Sequence, residues 1–325
     1  MREATIYDLA ISMQFAATAG GSVCRVLCEW HDGRYTPRVP LLTPAVDRYV
    51  SSVVSVCSSP DRGVVSVVLF GSAATGSYAP GISDVDLLIV AADSATVKDK
   101  LSLRATISQL EANSGAAKHY PYERGALDGI ADRITANVRS FFVCTRSDLL
   151  SGDPARILDI SAVQALFVDR VAVPSIVGSG VTIWGEDLLT QIRLLSIRRL
   201  DVAKAFFSLF NQLLFAAFVY PFTPGATKYA METLKRSIHN CYYCYRGRPA
   251  QLAEEVAFFQ PRISPHVALE QLMKLRTAYQ PRFGFILRCF PTLVRLHWVT
   301  AWDNRFPRDP RGALDRQASG DRNAV

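Results

Sequence analysis

The sequence predicts an α+β protein, with a small mixed sheet in its first half followed by a helical-bundle domain. Three observations carry this. Two apolar runs, "VVSVVLF" (64–70) and "DVDLLIV" (84–90), are dense in branched residues and have strand length. A stretch of helix length, opened by Ser94 and ended at Gly115, follows them at 94–115. From residue 185 onward apolar residues recur at helical spacing through 188–220, 227–246, 250–260, 266–279 and 284–301, punctuated by prolines 221, 224, 249, 261, 265, 281 and 291.

The elements are expected in the following order. Residues 4–20 read as a helix and 28–42 as loop. Thr43 and Pro44 form an N-cap and first-turn pair that opens a helix to about Cys57. "SSPDRG" (58–63) is a turn before the first strand, and a short helix follows Gly71. Ser94 is expected to cap the helix that ends before Gly115. "DRITANVRSFFVC" (132–144) reads as a third strand, and "VTIW" (181–184) as either a short edge strand or the lead into the next helix. These signals divide the chain into an extension over 1–42, a sheet domain over 43–184, a helical domain over 185–302 and a disordered tail over 303–325.

Bulk chemistry narrows the classes of function. The chain has 325 residues and a net charge of +7. Between residues 191 and 300 there are 15 Lys/Arg against 5 Asp/Glu, so the positive excess belongs to the helical half. Such an excess suits an anionic ligand or substrate. The seven cysteines include one C-x-x-C, Cys241 and Cys244, without a second pair or a following histidine at finger spacing. That argues against a zinc finger and leaves buried or helix-surface thiols in a reducing compartment. "LLFAAFVY" (213–220) is too short to cross a bilayer, and the N-terminus lacks the pattern of a signal peptide. A cytoplasmic protein without a membrane partner is expected.

The first half poses a sharper question. Asp84 and Asp86 stand two residues apart at the mouth of an apolar strand. On a strand, i and i+2 share a face, so two carboxylates leave side by side. They repel unless a divalent cation lies between them. Mg²⁺ takes carboxylate and phosphate oxygens and fits that donor set. Gly71, after the preceding strand, permits close approach of backbone to a ligand. A helix beginning there directs N–H groups at a phosphate, and Ser72 and Ser83 offer hydroxyls to the same oxygens.

Strand, Gly-Ser, about ten residues, then Asp-x-Asp on a second strand resembles the signature of the polymerase beta-like nucleotidyltransferase superfamily. Here it is "LFGSAATGSYAPGISDVDLLIV" (69–90). The likeness covers roughly residues 43–145, and the helical half is similar to that of the aminoglycoside nucleotidyltransferase-type members. The resemblance implies a nucleotidyltransferase domain that moves a nucleoside monophosphate from an NTP, ATP above all, to a hydroxyl. It implies two Mg²⁺ ions held by Asp84 and Asp86, which clamp the attacking and leaving oxygens. It also implies a triphosphate contact from Lys228 in "TPGATKYAMETL" (223–234). Arg236, Arg246 and Arg248 are further candidates for an anion-facing surface. The acceptor stays open between a small molecule, a protein and RNA, and a homodimer stays open as well. The superfamily's third acid is not evident: Glu123, Asp132 and Asp148 are alternatives, and Asn137 stands near the expected place. Two other readings compete with an enzyme: a low-turnover nucleotide-sensing or antitoxin-like protein of the same fold, and a nucleic-acid-binding module built on the basic half.

Overall fold

The computed structural model describes residues 27–31, 34–38, 43–76, 78–79, 83–114, 140–159, 170–194 and 196–302. The helix expected over 4–20 and the tail over 303–325 lie outside these. The stretch read as loop at 28–42 instead contains a hairpin, β1 (Leu27–His31) against β2 (Arg34–Arg38), antiparallel with Trp30 opposite Tyr35. Pro37 in the second strand had obscured it, because proline donates no ladder hydrogen bond.

A four-stranded mixed sheet follows, in the order β5-β4-β3-β6. Its strands are β3 (Val64–Phe70), β4 (Asp86–Ala91), β5 (Phe141–Thr145) and β6 (Val181–Gly185). β3 is antiparallel to both neighbours, while β4 and β5 run parallel. Parallel strands need a long crossover, and α3 (Val97–Ser114) belongs to it. Its N-terminus is capped by Thr96 rather than Ser94. The Asp99 amide donates to Thr96 Oγ1 at 3.2 Å and the Thr96 amide donates to Asp99 Oδ2 at 2.8 Å, a reciprocal box.

The central strands are buried on both faces. Val85, Leu87 and Ile89 pack with Tyr49 and Val53 of α1 (Pro44–Cys57) and with Leu103 and Ile107 of α3. Leu88 and Val90 face the other way. There they meet Leu149 of α4 (Arg146–Ser151), Ile157 of α5 (Pro154–Ile157) and Ile176 of α6 (Ala172–Ser179). As expected, Thr43 caps α1, with its Oγ1 accepting from the Val46 amide at 3.3 Å.

The second half is helical. It comprises α7 (Arg199–Val219), α8 (Thr227–Arg246), α9 (Leu252–Phe259), α10 (Val267–Thr277) and α11 (Phe283–Trp302). The apolar run at 213–220 is thus the end of a 21-residue helix. By length and composition alone, α7 is the one described helix that could cross a membrane. It packs along α8 and α11, and Leu213, Ala216, Tyr229, Leu234, Phe285 and Leu296 lie in their common core. The chain is therefore α+β, with a mixed-sheet unit followed by helices.

The described cysteines 57, 144, 241, 244 and 289 are free and buried. Burial pushes the thiols of Cys57 and Cys144 up to about 12, which keeps them protonated at neutral pH.

One buried polar contact ties the bundle together. His297 Nδ1 lies 3.2 Å from the Val202 carbonyl oxygen and its Nε2 lies 2.8 Å from Ser237 Oγ. A carbonyl only accepts, so Nδ1 carries the proton and Nε2 accepts from the hydroxyl: the ring is neutral. Burial pulls its pKa down to about 4, against a smaller upward pull from the Val202 bond. An unfolded histidine titrates near 6.5, so between pH 6.5 and 4 the unfolded chain takes up a proton that the folded one refuses. Stability is full above that window and falls as pH drops through it. By pH 5 the loss from this one group is about 2 kcal/mol. Chemical denaturation at pH 7.5 and pH 5 should show that extra loss in the wild type. It should be missing in His297→Gln, which is weaker at pH 7.5 but has no ring to protonate.

Candidate active site

The ladder between β3 and β4 ends with Phe70 opposite Asp86. This register sets the Gly-Ser bend directly beside the second aspartate. Gly71 has φ +69, the left-handed region that glycine occupies without penalty. A Cβ built on it would stand 2.3 Å from Asp86 Oδ2 and 3.1 Å from Asp86 Cγ. The carboxylate therefore lies over the bare Cα of the bend, in space that any side chain would fill. Sequence spacing could suggest that convergence, but only the strand register creates it.

β4 begins at Asp86, so Asp84 and Val85 form its entry rather than its first residues. The alternation nevertheless holds. Val85 is buried in the α1–α3 core, whereas Asp84 and Asp86 are both half-exposed. Tyr78 lies near Asp84: burial first, then the charge of Asp84, raise its hydroxyl pKa.

The bend itself is a four-residue helix, α2 (Gly71–Ala74), with Ser72 half-buried at its second position. Its first amide is already engaged, since Gly71 N–H donates to Ser179 Oγ of α6 at 3.4 Å. Ser83 is buried. Its Oγ accepts from the Ala79 amide at 3.0 Å, and its own amide donates to the Ala79 carbonyl at 2.8 Å. Ser83 thus ties the loop just ahead of Asp84. Lys228 sits in the first turn of α8, largely buried, with its Nζ 4.8 Å from the Tyr229 ring centroid. The segment beyond the other end of α8 touches the residue that follows α2. Gln251, just past the turn carrying Arg246 and Arg248, donates from Nε2 to the Thr75 carbonyl at 3.3 Å. At 1.5 Å per residue, Arg246 stands about 27 Å along the helix from Lys228.

Of the alternatives for a third acid, Glu123 and Asp132 lie outside the described residues, as does Asn137. Asp148 caps α4, accepting from the Thr145 hydroxyl at 2.7 Å and pairing with Arg156 at 2.8 Å. Burial raises its pKa, but the Thr145 and Arg156 contacts outweigh that and hold the carboxyl below its usual range. It stands past Thr145, which pairs with Ala91 at the end of the sheet opposite Asp86. Beside Asp86, just before β5, comes Ser140, whose carbonyl accepts from the Leu87 amide at 2.9 Å. The Ser140 hydroxyl donates to Glu111 Oε1 of α3 at 2.5 Å. Burial, then Glu111, and more weakly Asp86, drive the Tyr49 hydroxyl pKa up, so both carboxylates act on one buried phenol. Among the described residues, no three His, Cys, Asp or Glu side chains are grouped closely enough to hold a metal. The described acidic site is a pair.

Residues 50–118, which include the bend and both aspartates, match the nucleotidyltransferase domain family. The match agrees with the resemblance read from the sequence. Among solved structures, the chain is similar to spectinomycin adenyltransferase AAD(9) from Enterococcus faecialis, solved with ATP and spectinomycin. That likeness has 12% identity and a TM-score of 0.45, covering 76% of this chain and 96% of that one. No curated protein matches the chain.

Proposed function

We propose that the protein transfers a nucleoside monophosphate from an NTP, ATP first among them, to a hydroxyl acceptor, with Asp84 and Asp86 as the catalytic and metal-holding pair. The single observation that carries this reading is the close approach of Asp86 to the bare Cα of Gly71. A carboxylate held against a glycine bend leaves the backbone open to a phosphate on the side where a cation would sit.

Two half-exposed carboxylates are hard oxygen donors and fit Mg²⁺. Bound there, Mg²⁺ would supply charge neutralisation for the phosphates and polarise the attacking hydroxyl. The chain's own residues do the rest. Gly71 keeps the bend clear, Ser72 offers a hydroxyl beside it, and Ser83 holds the loop so that Asp84 leaves on the same side as Asp86. Gln251 ties the helical half to the residue after α2, and Arg246 and Arg248 stand a few residues before it in the chain. Lys228, in the first turn of α8, is the candidate triphosphate contact from the helical half. The basic helical half favours an anionic acceptor such as RNA over a polycationic one.

A second reading, a nucleotide-sensing protein with little turnover, draws support from the paired rather than triple acids among the described residues. One experiment separates the two. The protein is incubated with labelled NTPs, Mg²⁺ and RNA, protein or small hydroxylated acceptors, and pyrophosphate release is followed beside nucleotide binding. Label on an acceptor supports transfer. Magnesium-assisted binding without release supports sensing, and absence of both overturns the site.

A further inference from the structure

One face of the bundle, turned away from the core that α7 and α11 share with α8, is apolar. Leu200, Phe207, Leu214 and Phe218 emerge from α7 in one helical stripe, and all are exposed. Leu287, Val294, Trp298 and Trp302 do the same on α11. Phe206 meets His297 and Phe210 meets Phe290, so the two helices run antiparallel along an aromatic seam. At 100° per residue, both stripes lie on the side of that seam away from the α8 core. They form one sheet of apolar surface along the full length of α7, about 30 Å. Phe218 is 74% exposed, and Trp298 and Trp302 are 64% and 65% exposed. A surface of this extent marks an interaction site.

Its charges select the partner. α7 and α11 together carry Arg199, Lys204, Arg288 and Arg295, with Arg282 just before α11. Their one carboxylate, Asp201, is buried. A second copy docked face to face would set these cations against one another without a balancing acid. A nucleic acid could stack on the four aromatic rings, but its polar backbone would leave Leu200, Leu214, Leu287 and Val294 without an apolar partner. An anionic bilayer satisfies both halves: its headgroups pair with the Arg and Lys rim, and its interface takes Trp, Phe and Leu. The most apolar stretch of α7 has a mean hydropathy of 1.6, yet only a third of it is buried within the protein.

We propose that the α7–α11 face is a peripheral docking surface for anionic lipid bilayers, with both helices lying flat in the headgroup region. The proposal does not depend on the transfer reading.

Sedimentation of the full chain with vesicles tests it. Wild type should bind mixed phosphatidylcholine–phosphatidylserine vesicles, lose them as salt rises, and ignore vesicles of phosphatidylcholine alone. Arg288→Gln with Arg295→Gln should weaken binding about thirtyfold. Trp298→Ser with Trp302→Ser should weaken it at least about tenfold. Should the tryptophan variant fail to fold, the arginine variant decides. No vesicle binding, equal binding to neutral vesicles, or unaltered affinity in the folded variants overturns the proposal. So does a solution dimer that the tryptophan changes convert to monomer, or RNA that occupies the same face in preference to vesicles.

Discussion

Asp86→Asn should lower nucleotidyl transfer by at least about 10³-fold while leaving the fold intact. The substitution keeps the shape but removes the charge that would balance a cation, and electrostatic stabilisation of this kind is commonly the largest catalytic contribution. Stability should barely change, because Asp86 is half-exposed at the start of β4 and contributes nothing apolar to either core. Asp84→Asn should behave alike. Transfer rates and melting temperature measured on the same preparations check both halves. A folded Asp86→Asn protein with wild-type turnover would show that the carboxylate is not the working group.

Gly71→Val should produce the other large effect, and it should do so in two ways. A β-branched residue at φ +69 is strained by roughly 1–2 kcal/mol. In addition, its Cβ would meet Asp86 Oδ2 at 2.3 Å, so the carboxylate or the bend must move. Nucleotide affinity should drop at least about tenfold, with some loss of thermal stability. Gly71→Ala separates the causes. It carries the same Cβ and collides with Asp86 as well, but lacks the branched methyls, so affinity should fall nearly as far with a smaller drop in melting temperature. Calorimetric titration with a nonhydrolysable NTP and Mg²⁺ reads the affinity. Unchanged affinity in Gly71→Ala would detach the bend from nucleotide binding.

Local chemistry was easily read from the chain. The Thr43-Pro44 start of α1, the branched run of β3 and the limits of α8 depend on neighbours within a turn or a strand, and they stand where their patterns point. The β1–β2 hairpin was hidden by Pro37, and the cap of α3 moved from Ser94 to Thr96 because Asp99 completes a box only there. The contacts that shape the site are different in kind. Ser179 reaches the Gly71 amide across 108 residues, and Gln251 reaches Thr75 across 176. No periodicity announces such pairs, because each is decided by how whole elements stack. The Gly-Ser bend and Asp-x-Asp could be named from spacing. That Phe70 faces Asp86 across the ladder, which turns the two motifs into one place, is a property of strand pairing.

The β3–β4 ladder has its only irregularity between Val64 and Ser66 and runs unbroken from Ser66–Val90 to Phe70–Asp86. That asymmetry makes the chain tolerant of length change at one end and intolerant at the other. An extra residue near Gly63 can be taken up where the pairing already slips. One added between Val67 and Phe70 would turn every later side chain of the strand over and present the bend to Val85 or Leu87 instead of Asp86.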